Sequence, residues 1–214
     1  MTDQKLPKMN AFILRLLFIF LGIPGRLYFR VVCDSGSAFR RDPQRPRLII
    51  FNHSSHLDIL ILSYCIGYEQ SKRVLFVAKQ ELFKHPLVSQ FMRSMGAFPV
   101  DRNAMDINAI RTILKVLQLG HHVVLAPEGT RSDTGEIGAF NSTFIKLAQK
   151  ANALILPMGI QGAFKALPKH HLLPRPYRIT ARCGEEIDIA DYPGKSQDEL
   201  SEMVRQQVIW LSSV

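Results

Sequence analysis

From about residue 48 onward, short, branched, uniformly apolar runs alternate with longer stretches in which apolar residues recur every third or fourth position. The short runs predict buried strands at 48–51, 74–78, 97–100, 123–126 and 154–160, each bounded by polar residues, Gly or Pro, with a further candidate strand at 177–182. Ile107, Ile110, Leu114 and Leu117 share one helical face, with Asn103 or Asp106 placed to cap the helix and Gly120 to end it. A last helix is predicted from Leu200, Met203, Val204, Val208 and Leu211, with Trp210 at its core or edge. Alternating strands and helices predict parallel strands joined by right-handed crossovers. The expected fold is therefore α/β, with an open, mostly parallel sheet covered by helices.

The N-terminus departs from this rhythm. Residues 11–23 are almost wholly apolar, interrupted by Arg15 and closed by Pro24 and Gly25. A spanning helix needs about 20 apolar residues. The run therefore predicts an interfacial membrane helix, with Arg15, Arg26 and Arg30 reaching toward headgroups, and a core helix as the alternative. A cleaved signal peptide is disfavoured, because Gly22-Ile23-Pro24-Gly25 lacks a good small-residue cleavage site. The expected division is a membrane-associating helix and connector over residues 1–40, then one domain over 41–214.

Charge narrows the partners. A net charge of +9 favours nucleic acid, an anionic leaflet or phosphorylated substrates, and nucleic acid is disfavoured because no basic-aromatic module appears. Cys33, Cys65 and Cys183 are far apart, with no CxxC pair, which fits buried or incidental thiols in a reducing compartment. His121-His122 and His170-His171 are adjacent pairs. Neighbours in an extended chain face opposite sides, so neither pair chelates by itself and no metal is expected.

Polar chemistry collects just past the predicted strand ends: His53 after the first, Lys79 after the second, Arg102 after the third, and Glu128-Gly129-Thr130-Arg131 after the fourth. In open α/β sheets the carboxyl edge is where ligands bind, so these segments are expected to converge on one crevice. In Asn52-His53-Ser54-Ser55-His56-Leu57-Asp58, Ser55 and Asp58 form a plausible capping box for a helix beginning near Leu57. His53 can meet Asp58 only from a loop folded back over the helix start. That contact would make the imidazole a general base. His56 is a rival base, and Ser54 or Ser55 a nucleophile of the alternative kind, although neither serine lies in a G-x-S-x-G elbow. Pro127 to Ser132 has the parts of a phosphate seat: Gly129 for close approach, the Thr130 hydroxyl and the planar Arg131 fork. Glu128 would repel a phosphate, so it is expected to orient Arg131 or the loop, or to hydrogen-bond a substrate hydroxyl.

Together these clusters resemble the glycerolipid acyltransferases, specifically the bacterial 1-acylglycerol-3-phosphate acyltransferases. The matching blocks are Asn52-His53 to Asp58, Ala78-Lys79 to Leu82-Phe83, Gly96 to Arg102, Pro127 to Ser132, and Leu156-Pro157 to Gly162, in order across most of the chain. The resemblance implies direct transfer in phospholipid biosynthesis. His53 deprotonates the acceptor hydroxyl of a lysophospholipid, Asp58 orients His53, and the alkoxide attacks a thioester on acyl-CoA or acyl carrier protein. It further implies that Lys79, Arg102, Glu128, Gly129, Thr130 and Arg131 bind the acceptor, that no metal, cofactor or acyl-enzyme takes part, and that the protein sits on the cytoplasmic face of the inner membrane. One departure stands out: after Phe140 the family often carries Lys and then Gly, whereas Asn141-Ser142-Thr143 stands here. That leaves room for another acceptor, such as lyso-ornithine lipid or glycerol-3-phosphate, and a non-catalytic membrane-binding protein is the reading from another class.

Overall fold

The computed structural model of the chain describes residues 10–36, 38–100 and 107–214. Arg102, Asn103 and Asp106 lie outside the described residues. In chain order the elements are α1 (Ala11–Phe29), β1 (Val32–Asp34), β2 (Arg47–Phe51), α2 (Asp58–Ile66), α3 (Tyr68–Ser71), β3 (Val74–Lys79), α4 (Pro86–Ser94), β4 (Ala97–Val100), α5 (Ile107–Gln118), β5 (His122–Leu125), α6 (Thr143–Lys150), β6 (Leu154–Gln161), α7 (Ala163–Ala166), β7 (Thr180–Cys183) and α8 (Gln197–Ser213).

The strands form one seven-stranded sheet in the order β1-β7-β6-β2-β5-β3-β4. Pairing is parallel except at β6·β7, where Met158 faces Cys183 and Gln161 faces Thr180. The runs at 48–51, 74–78, 97–100, 123–126 and 154–160 each form a strand, the run at 177–182 does so only from Thr180, and the sheet also gains β1, a three-residue strand beside β7. Central β2 is buried on both faces, as its unbroken apolar run requires. Leu48 and Ile50 turn to a core closed by α5, α6 and α8, while Ile49 and Phe51 turn to one closed by α2 and α7.

The last helix begins on a complete capping box, Ser196 with Glu199, and packs so closely on the sheet that β6 needs Gly159. A Cβ there would stand 2.4 Å from the backbone of Leu211 and Ser212.

The N-terminal run forms helix α1, capped by the Asn10 side chain. It packs on α2 and α3 through Leu14, Phe18 and Gly22, and leaves Phe12, Ile19, Ile23 and Leu27 exposed along its outer side. Among the described residues no helix is long and apolar enough to cross a membrane. The three cysteines gather from β1, α2 and β7. Cys65 is pushed up to about 12 chiefly by its hydrogen bond with Cys183, and its thiol reaches Ala181 O at 3.5 Å.

Candidate active site

β2 ends at Phe51, and the next residue fixes the exit from the sheet. The Asn52 amide donates to Ile160 O at 2.9 Å and accepts from Ile160 N at 2.8 Å, closing onto β6 much as a further strand residue would. His53 follows, its side chain 11% exposed. The chain then folds back over the start of α2, whose first residue, Asp58, is fully buried. One oxygen of Asp58, Oδ2, meets His53 Nδ1 at 2.9 Å, Ser54 N at 2.7 Å and Ser55 N at 2.8 Å. An oxygen that already receives two backbone N–H groups acts as acceptor toward the ring. The imidazole proton is thereby placed on Nδ1, and Nε2 keeps its lone pair.

The capping box expected at Ser55 is half present. Asp58 accepts from Ser55 N, but the Ser55 hydroxyl donates to Leu167 O at 2.8 Å and accepts from Leu57 N at 3.2 Å, and α2 has no side-chain cap. Because the helix starts at Asp58 itself, Ser55 lies too far upstream to cap it. Its hydroxyl is spent on a second segment and is not poised as a nucleophile. His56 is exposed and held below its ordinary pKa, first by partial desolvation, then by the neighbouring Arg131 guanidinium and His53 ring, with Asp58 acting the other way. The ring that has the carboxylate partner is His53.

The loop after β5 grips His53 by its backbone. Glu128 Oε1 accepts from His53 N at 2.8 Å, and Ser132 N donates to His53 O at 2.8 Å. The other oxygen of Glu128 accepts from Gly138 N at 3.0 Å. Gly138 is held in turn from α8: Arg205 Nε donates to Gly138 O at 2.7 Å and Nη2 to Ile137 O at 3.1 Å. Gly129 has φ +74 in open space, so conformation rather than crowding calls for glycine there. Thr130 is exposed. Arg131 is half-buried, with Nη1 donating to Lys169 O at 3.3 Å.

The structure thus brings His53, Asp58, Glu128, Gly129, Thr130 and Arg131 together on the carboxyl edge of β2 and β5. Lys79 ends β3 on the same edge, half exposed, with Glu81 at 3.7 Å as its ion-pair partner. Sequence reasoning assigned no part to Gly138, Leu167, Lys169 or Arg205. The only local hint was the block running to Gly162, where φ is +85 and a Cβ would lie 2.1 Å from Arg178 O. The departing segment after Phe140 is tied in as well: Asn141 N donates to Pro127 O at 3.1 Å, and its side chain accepts from Thr143 N at 2.9 Å at the start of α6.

Known proteins share this fold. A solved acyltransferase from Thermotoga maritima, PlsC, described as acting on 1-acyl-sn-glycerophosphate, superposes with a TM-score of 0.75 at 26% identity, covering 92% of this chain and 77% of its own. Among curated relatives, a probable 1-acyl-sn-glycerol-3-phosphate acyltransferase of Mycoplasma genitalium is 35% identical over 124 residues, 56% of this chain and 46% of the relative. The enzyme so named from Bacillus subtilis is 32% identical over 115 residues, 54% and 55% of the two chains. One from Cocos nucifera is 29% identical over 160 residues, 73% and 51%. The chain spans about half the length of the curated relatives it matches. A family model described as Acyltransferase matches residues 32–161, which contain both loops that hold His53. With more than half its length under that match, and with its fold in common with a solved acyltransferase, the chain belongs to the acyltransferase family.

Proposed function

We propose that the protein transfers a fatty acyl chain from acyl-CoA or acyl carrier protein to the free hydroxyl of 1-acyl-glycerol-3-phosphate, giving phosphatidate. The observation that carries this reading is the 2.9 Å contact between His53 Nδ1 and buried Asp58, on a loop whose backbone is held at 2.8 Å by the segment bearing Arg131. With its proton on Nδ1, His53 takes the acceptor hydroxyl proton at Nε2, and Asp58 orients the ring and stabilises the imidazolium. The alkoxide attacks the thioester carbonyl, the C–S bond breaks, and the proton on Nε2 passes to the departing thiolate. Arg131 offers a planar fork to the acceptor phosphate, and Gly129 and Thr130 flank it. Lys79 adds positive charge from the same edge, and Arg102 is assigned to the acceptor by the family resemblance alone. Glu128 acts as a brace under His53, since both of its oxygens face backbone N–H groups. No metal, cofactor or acyl-enzyme enters this scheme. Helix α1 lays its exposed apolar side on the cytoplasmic face of the inner membrane, where both thioester carriers have access.

The test is an acceptor panel of lysophosphatidate, glycerol-3-phosphate and lyso-ornithine lipid, read by thiol release. His53→Ala is expected to lose about 10²-fold or more on every acceptor. Arg131→Ala is expected to lose activity on phosphate acceptors alone. Undiminished turnover in the first variant, or a uniform loss across the panel in the second, overturns the assignment.

A further inference from the structure

Between α7 and β7 the chain leaves the sheet over residues 167–179 and carries there a pair of leucines, Leu172 at 94% and Leu173 at 81% exposed. Scattered apolar side chains are ordinary on a soluble surface. Two adjacent leucines standing almost wholly in water are a different matter, and their setting points to an occupant. Residues 163–184 carry five basic residues and no acidic one; Lys169 is paired with Asp133 at 2.8 Å and Arg182 donates to Leu211 O from β7, which leaves Lys165, Arg175 and Arg178 as the collar. Such a tip, apolar at its point and cationic at its shoulders, has the pattern of an element that inserts between anionic headgroups. A second copy of this chain is a poor partner, because it would set one cationic collar against another.

The tip is also continuous with the outer side of α1. Tyr28 Oη donates to Pro174 O at 3.0 Å, placing the end of α1, with exposed Leu27, beside the excursion. Its base is bonded to the catalytic loops, through Ser55 Oγ to Leu167 O at 2.8 Å and Arg131 Nη1 to Lys169 O at 3.3 Å.

We propose that the Leu172–Leu173 turn is a second membrane-inserting element, separate in sequence from α1, which seats the active edge on an anionic bilayer. It rests on the function proposed above and deepens it. The depth of the turn sets where Arg131 and His53 stand relative to the headgroups, so access to a bilayer-embedded acceptor depends on the turn, whereas access to a dispersed one does not.

The experiment compares the full chain with its Leu172→Glu, Leu173→Glu double variant. Flotation with vesicles of phosphatidylglycerol and phosphatidylcholine, and of phosphatidylcholine alone, measures binding. Turnover is measured on lysophosphatidate embedded in anionic vesicles and dispersed in detergent. Loss of two inserted leucines is expected to weaken anionic-vesicle binding and vesicle turnover by about 10-fold or more, with detergent turnover kept within about twofold. As a second readout, Leu172→Trp in a Trp210→Phe background, which removes the only native tryptophan, is expected to shift its emission to the blue with anionic vesicles. Unchanged vesicle binding, an emission maximum that stays where it is in water, or a change in oligomeric state in place of a change in binding overturns the proposal. Should the wild type show no turnover in detergent, the catalytic reading fails separately, and the binding and emission arms still decide the role of the turn.

Discussion

Glu128 is the joint at which the two loops share one geometry, and Glu128→Gln tests it by exchanging an oxygen for an amide nitrogen. In the native protein Oε1 accepts from His53 N at 2.8 Å and Oε2 from Gly138 N at 3.0 Å. A glutamine that keeps its oxygen toward His53 must turn its NH2 toward Gly138 N, donor against donor. A hydrogen bond to a charged acceptor contributes about 1.5–3 kcal/mol. Each tenfold in rate corresponds to about 1.4 kcal/mol, so full transmission to the transition state gives a fall of about 10- to 100-fold in kcat/KM. Gly138 is exposed, and part of the loss is recovered by water, which places the expected fall near the lower figure. The split between kinetic constants is more informative than the size. A brace beneath the backbone of His53 touches no substrate, so kcat falls while KM for lysophosphatidate moves by about twofold at most. Arg205→Met, which removes the donors to Gly138 O and Ile137 O, is expected to shift kcat the same way by less. Steady-state thiol release with both substrates varied, beside urea melts of each variant, makes the measurement. A tenfold rise in acceptor KM at unchanged kcat would refute the brace and make Glu128 a substrate ligand.

Two further predictions concern the frame. His122 is buried with Nδ1 accepting from Arg47 N at 3.0 Å, and burial first, then the charges of Arg73 and Arg47, push it down to about 3. An unfolded imidazole takes up its proton near pH 6.5 (roughly). Between that pH and the folded value the unfolded state therefore binds one more proton, and stability falls by about 1.4 kcal/mol per pH unit as the pH drops. His122→Asn is expected to flatten the acid limb of urea melts taken from neutral pH downward, and an unaltered slope would remove His122 from that role. Gly159→Ala drives a methyl to within 2.4 Å of the α8 backbone. Overpacking of that kind costs about 1–3 kcal/mol, so the urea midpoint should fall, and a variant as stable as the parent would show that α8 sits more loosely than described.

The strands were legible because burial on both faces leaves an unmistakable apolar run, as in Leu48-Ile49-Ile50-Phe51. Strand β1 was not, since Val32-Cys33-Asp34 is short and its outer residues are exposed. Neither was the antiparallel turn of β7, which depends on the chain from 162 to 179 making an excursion where a crossover helix would otherwise run. At the site, the five-residue spacing of His53 and Asp58 allowed a contact only across a folded-back loop, and it was the family resemblance that implied the pairing. The brace had no such signature. Gly138 lies ten residues beyond Glu128, and Arg205 lies on the final helix, with nothing local to mark either. Lys79 shows the opposite failure. Its place past a strand end was read correctly, yet being on the right edge does not fix where a long, half-exposed side chain points, and its ion pair is with Glu81.

A buried carboxylate is tolerated only where donors meet it, and those around Asp58 come from the same few residues that carry the base. Two are the backbone N–H groups of Ser54 and Ser55; the third is the ring of His53. Closing the loop therefore stabilises the charge and aims the imidazole in a single step, and a change at Asp58 alters both at once. The loop from Gly129 to Arg131 bonds to none of the Asp58 oxygens and Thr130 is exposed, while Glu128 and Ser132 fasten its two ends to the backbone of His53. On the proposed function, acceptor preference can then shift through Thr130, Arg131 and the Asn141-Ser142-Thr143 segment with the His53–Asp58 geometry intact. Substitutions there should move KM between acceptors, whereas substitutions around Asp58 should lower kcat on all of them.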